Sequence, residues 1–185
     1  MGRLTLILGG ARSGKSTYAE RLAMQHSQRV AYIATAQALD LEMEARIAMH
    51  QQKRPSNWQT LEIPSGIGLA IKSNPPEVDT IILDCITLLV SNLVLEASTN
   101  LDEPEEERAT ALIDNELTQL QEAIQTSQAE WIVVSNEVGM GLVPPYPLGR
   151  IYRDLLGMAN QSLASIADQV YFMIAGIPMR LTPEK

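Results

Sequence analysis

Near its start the chain carries Gly9-Gly10-Ala11-Arg12-Ser13-Gly14-Lys15-Ser16, with the spacing G-x-x-x-x-G-K-S. These residue types at this spacing make a phosphate cradle. Gly9 and Gly14 let backbone N–H groups turn toward anionic oxygens. A helix beginning there adds partial positive charge at the same spot. Lys15 is placed to reach the β- and γ-phosphates, and the Ser16 hydroxyl to hold Mg²⁺. The flanks supply the context this P-loop needs. Residues 3–8 form a short apolar run that reads as a buried strand, and residues 16–24 place Ala19, Leu22 and Ala23 at helical spacing.

Other reactive types follow. Asp84 closes the apolar run Ile81-Ile82-Leu83, the position at which a P-loop protein holds Mg²⁺ directly or through water. The competing role is capping a helix that starts near Ile86. Cys85 reads as a small buried hydrophobe, and His26 as a solvated residue closing the first helix. His50 lies on a helical stretch four residues before Arg54. An imidazole there is either a helix-surface residue or, in its neutral form, a nucleophile toward phosphorus. Lys53 and Arg54 can hold triphosphate oxygens, arginine bidentately. Asn136-Glu137 followed by Gly139 and Gly141 suggests a ligand-facing loop or a tight connection. Arg150, Arg153 and Asp154 are expected in the first turn of the following helix, facing phosphates, a neighbouring subunit or each other.

The elements that must position these residues alternate. Strands are expected at 29–34, 58–63, 78–84, 131–135 and, as the last, 169–174. Helices are expected at 39–51, weakly at 66–72, and at 86–96, 104–126 and 150–165, with Ala111, Leu112, Glu116, Leu117 and Leu120 in helical register in the fourth. Such alternation implies an α/β fold with a parallel sheet and helices on both faces. Ligands then bind at the carboxyl ends of the strands. The P-loop, Thr35, Glu62, Asp84 and Asn136-Glu137 all fall there, so they are expected to converge on one cleft.

A chain of 185 residues fits a single domain over 1–185. Its net charge of −8 argues against non-specific nucleic-acid binding and anionic-membrane binding. One cysteine precludes an internal disulfide and fits a reducing cytoplasm. No run of about 18 apolar residues is present, so no membrane span is expected. The first apolar stretch runs straight into the P-loop, so no signal peptide is expected either.

Several segments occur together in one order: Gly9 through Ser16, Tyr32-Ile33-Ala34-Thr35, Glu44 through Ile47 with His50 and Arg54-Pro55, Asp84 through Thr87, Asn136 through Pro144, Arg153-Asp154 and Asn160-Gln161. Nearly the whole chain thereby resembles the bifunctional adenosylcobinamide kinase / adenosylcobinamide-phosphate guanylyltransferase family of cobalamin biosynthesis. The P-loop alone is unspecific; the histidine helix and the Asn-Glu-Val-Gly loop make the resemblance specific. It implies a RecA-like P-loop NTPase fold, a homotrimer and two reactions. GTP or ATP phosphorylates adenosylcobinamide. GTP then gives GMP to adenosylcobinamide-phosphate through a GMP–histidine intermediate, and His50 takes the nucleophile's place. Nucleotide contacts carry over to Gly9, Gly10, Ala11, Arg12, Ser13, Gly14, Lys15 and Ser16, to Ala34, Thr35 and Ala36, to Gln51, Gln52, Lys53 and Arg54, and to Glu62 and Asp84. Position 49 is Met where relatives can carry a second histidine, which leaves one imidazole here. The expected motion is a swing of residues 36–55 on nucleotide binding. Two other readings compete: a P-loop kinase for another small alcohol, in which His50 is dispensable, and a nucleotide-dependent switch protein.

Overall fold

The computed structural model describes residues 2–37, 49, 54–98, 100 and 104–181. In chain order these form β1 (Leu4–Gly9), α1 (Lys15–His26), β2 (Val30–Ala34), β3 (Gln59–Glu62), α2 (Ile67–Ser73), β4 (Thr80–Asp84), α3 (Ile86–Ala97), α4 (Glu106–Thr126), β5 (Glu130–Val134), α5 (Pro147–Ile166), β6 (Gln169–Ile174) and β7 (Ile177–Leu181). The expected helix over 39–51 lies outside the described residues except for Met49, which is helical and exposed.

One sheet carries the site. Its order is β3-β2-β4-β5-β1-β6-β7, parallel throughout except for the antiparallel β6–β7 pair. The pleat sends alternate side chains to opposite faces. Leu4, Leu6 and Leu8 of β1 join Ile33, Leu83 and Val133 in a large core under α2, α3, α4 and α5, whereas Ile7 joins Tyr32, Ile82 and Ile132 under α1. Helices therefore lie on both faces, four on one and, among the described residues, one on the other. Strands covered this way read as continuous apolar runs, as all five residues of buried β2 do.

Two boundaries differ from the sequence reading. Residues 169–174 are not the last strand. Ala175 and Gly176, at φ of 50° and 82°, turn the chain back into β7. Two positive φ values suit a two-residue hairpin turn. The sequence gives little sign of this strand, which is mostly exposed and contains Pro178, a residue that an edge strand tolerates. Likewise α5 starts at Pro147, not at residue 150. Proline suits a helix's first turn, where its missing N–H costs nothing. Arg150 thus sits beyond the first three helical residues and folds back, its Nη1 donating to the Pro144 and Pro145 carbonyls at 3.2 and 3.0 Å.

Glu116 is the buried exception on the apolar face of α4. Its carboxylate accepts the backbone N–H groups of Gly66 and Ile67 at 2.7 and 2.8 Å. It therefore caps α2 from another helix, which has no side-chain cap of its own. Glu116→Ala strands one buried and one part-buried donor and is expected to cost about 3 kcal/mol. Urea unfolding measures this, and a loss below about 0.5 kcal/mol contradicts the capping role.

Candidate active site

The loop between β1 and α1 is shaped by its neighbours. Gly9 has φ of 148°, and a Cβ there would lie 2.6 Å from the Met173 carbonyl oxygen, so only glycine fits. Gly14, at φ of 94°, precedes α1 in the left-handed region. From the β6–β7 turn, the Gly176 N–H donates to the Ser13 carbonyl at 2.9 Å. The hairpin that sequence reading missed thus props the P-loop. At the start of α1 there is no side-chain cap and no acidic residue in the first turn. Its N–H groups stay available to an anion.

Lys15 is buried, and its ammonium donates to the Gly10 carbonyl at 2.7 Å. Burial lowers its pKa, and Cys85 and then Asp84 oppose the shift. Across the cleft, the Asp84 carboxylate at the end of β4 accepts the hydroxyl of Tyr32 from β2. The guanidinium carbon of Arg54 sits 3.4 Å from the centroid of the Tyr32 ring. Its Nε and Nη1 are buried and have no hydrogen-bond partner among the described residues. Neither has the Ser13 hydroxyl. Unpaired donors cost free energy when buried, and phosphate oxygens would satisfy them.

These groups line one cleft of about 490 Å³, the size of a small-molecule site. It collects Ala11, Arg12, Ser13, Gly14, Lys15, Ser16, Ala34, Ala36, Arg54, Asp84 and Asn136. Gly9 and Gly10 shape the loop from behind. Thr35 is fully buried and does not line the cleft; its hydroxyl donates to the Cys85 carbonyl and accepts the Cys85 N–H, both at 2.8 Å. Glu62 and Glu137 are also absent from the lining. Glu62 is exposed at the end of edge strand β3, beside Ala34 in register. Glu137 turns back to accept the Gly139 N–H at 2.7 Å. His50, Gln51, Gln52 and Lys53 lie outside the described residues. Cys85 lines the cleft, but burial pushes its thiol up to about 11, which keeps it protonated near neutral pH.

Several residues take a positioning task that only the fold reveals. Asn92 on α3 donates to the Thr35 and Pro64 carbonyls, both at 3.0 Å, and joins the ends of β2 and β3. Thr87 accepts the Asn136 N–H at 2.7 Å, and Asn160 on α5 donates to the Asn136 carbonyl at 3.0 Å. The loop after Asn136 is thereby held at its root while Met140, Leu142 and Val143 project into solvent. Asn160 belonged to the family resemblance; only the fold explains its task.

The family described as cobinamide kinase / cobinamide phosphate guanyltransferase matches residues 5–181. The bifunctional adenosylcobalamin biosynthesis protein CobP of Pseudomonas aeruginosa is 42% identical over 97% of this chain and 97% of its own length. CobU of Salmonella typhimurium, with the same description, is 41% identical over 96% of this chain and 99% of its own. Among solved structures, the RadB recombinase superposes with a TM-score of 0.51 at 16% identity, covering 92% of this chain and 74% of that one. At that identity the likeness concerns the fold, a RecA-like P-loop NTPase.

Proposed function

The chain belongs to the cobinamide kinase / cobinamide phosphate guanyltransferase family, and on that premise we propose how its residues divide two transfers between them. The protein is an enzyme of cobalamin biosynthesis with kinase and guanylyltransferase activities. One nucleotide cleft serves both. The P-loop and Lys15 hold the β- and γ-phosphates, and Arg54 completes the anion site. The observation that carries this is that Arg54, two of whose buried guanidinium nitrogens have no hydrogen-bond partner among the described residues, lines the same cleft as Lys15.

Ser16 and Asp84 would hold Mg²⁺, and both line the cleft. Among the described residues no three His, Cys, Asp or Glu side chains cluster. That suits an ion shared with phosphates and water. Such an ion would neutralise charge developing on the phosphate oxygens.

In the kinase step, GTP or ATP gives its γ-phosphoryl group to the aminopropanol hydroxyl of adenosylcobinamide. The bond to the β–γ bridging oxygen breaks, the nucleoside diphosphate leaves and the hydroxyl proton goes to solvent. This chemistry needs positioning and charge neutralisation above all. In the second step, an imidazole nitrogen of His50 attacks the α-phosphorus of GTP and pyrophosphate leaves. An oxygen of adenosylcobinamide-phosphate then attacks that phosphorus, the P–N bond breaks, and adenosylcobinamide-GDP forms with His50 restored. Supplying adenosylcobinamide, GTP and Mg²⁺ tests the pair. The expected result is the phosphate followed by the GDP ester. Neither product, in protein shown to bind GTP, contradicts the reading.

The corrinoid acceptor enters over the loop after Asn136, which begins at a residue lining the cleft and carries Leu142 at 97% exposure. Leu142→Asp is expected to raise KM for adenosylcobinamide about tenfold while leaving KM for GTP unchanged. Unchanged kinetics for both substrates would place the acceptor elsewhere. The assembly is a homotrimer on the resemblance, which sedimentation in solution tests. A cytoplasmic location agrees with the single cysteine, and no helix among the described residues is long and apolar enough to cross a membrane.

A further inference from the structure

Tyr32 is buried in β2, yet both its ring and its hydroxyl serve the cleft. Its face carries the Arg54 guanidinium, and its O–H donates to Asp84. The guanidinium is held by an aromatic face rather than by an acid, since no ion pair joins Arg54 to a carboxylate among the described residues. That distinction matters for binding. A carboxylate would occupy the in-plane N–H groups that phosphate oxygens need, whereas stacking engages the face and leaves the edge free. The hydroxyl acts in the same sense, because it occupies a carboxylate otherwise drawn to the nearest cation.

We propose that Tyr32 is a positioning residue that keeps Arg54 and Asp84 from neutralising each other, so that Arg54 stays available to a triphosphate and Asp84 to a divalent cation. This rests on the reading of the cleft as a nucleotide site.

The two functions separate by substitution. Tyr32→Phe keeps the stacking face and loses the donor. Tyr32→Leu loses both and lets Arg54 close on Asp84. Calorimetric titration of the intact protein with GTP, with and without Mg²⁺, and with guanosine as control, reads the difference. Without Mg²⁺, Tyr32→Phe is expected to bind GTP within about twofold of wild type, and Tyr32→Leu roughly 30-fold more weakly. With Mg²⁺, Tyr32→Phe is expected to need more of the ion for the same binding. Guanosine binding should be unaffected in both. The double variant Tyr32→Leu with Arg54→Ala should bind GTP no more weakly than Arg54→Ala alone, because Tyr32 acts through Arg54. Additive losses in the double variant, or equal losses for GTP and guanosine, would overturn the inference. Thermal unfolding of each variant identifies a folding defect, and Tyr32→Phe serves should Tyr32→Leu unfold. Wild-type protein that binds no GTP would instead refute the nucleotide reading of the cleft.

Discussion

Lys15→Ala is expected to reduce both the kinase and the guanylyltransferase rates by at least about a hundredfold while leaving the fold intact. The size follows from where charge develops. Lys15 is the buried cation of the P-loop, aimed into the cleft from the first residue of α1. On the proposed reading, its bond to the Gly10 carbonyl would be exchanged for phosphate when nucleotide enters. Stability is not expected to fall, because burial disfavours the ammonium and only one hydrogen bond, to an accessible loop carbonyl, is lost. Steady-state rates with adenosylcobinamide and with its phosphate, together with a melting curve, check the prediction. Loss of one activity with full retention of the other would mean that the two transfers do not share the P-loop.

The second large effect should be selective. His50→Ala is expected to lower guanylyl transfer more than about a thousandfold, because a missing nucleophile cannot be replaced by positioning alone. Phosphorylation of adenosylcobinamide should persist, since direct transfer to a hydroxyl requires no enzyme-bound phosphorus. The contrast with Lys15→Ala is the useful part: one substitution removes both activities and the other removes one. Equal loss of both steps in His50→Ala would assign the histidine to binding or folding rather than to covalent chemistry. Full retention of guanylyl transfer would leave a plain kinase with another route to the second product.

What could be read from the chain divides by physical origin. The P-loop was legible because its glycines and lysine are tied to local backbone demands within eight residues, and the alternation of strand and helix followed from apolar runs and helical spacing. Arg54 and Asp84 were found as chemical types and do meet in one cleft. The tasks of Asn92, Thr87, Asn160 and Glu116 were not legible. Each acts on backbone more than twenty residues away, and no local pattern encodes that pairing. Thr35 shows the converse: its place at a strand end suggested a ligand contact, but both hydrogen bonds of its hydroxyl go to Cys85. Strand β7 was hidden because an exposed edge strand buries little and lacks the apolar run by which the other strands were recognised.

The covalent step at His50 is tested most directly by mass. The purified protein is incubated with GTP and Mg²⁺, without acceptor, and its intact mass is measured without exposure to acid, alongside His50→Ala. A gain equal to one GMP moiety, absent in the variant and discharged by adenosylcobinamide-phosphate, is the predicted result. Unmodified wild-type protein under conditions where GTP binding is demonstrated, or an adduct that survives in His50→Ala, would contradict it.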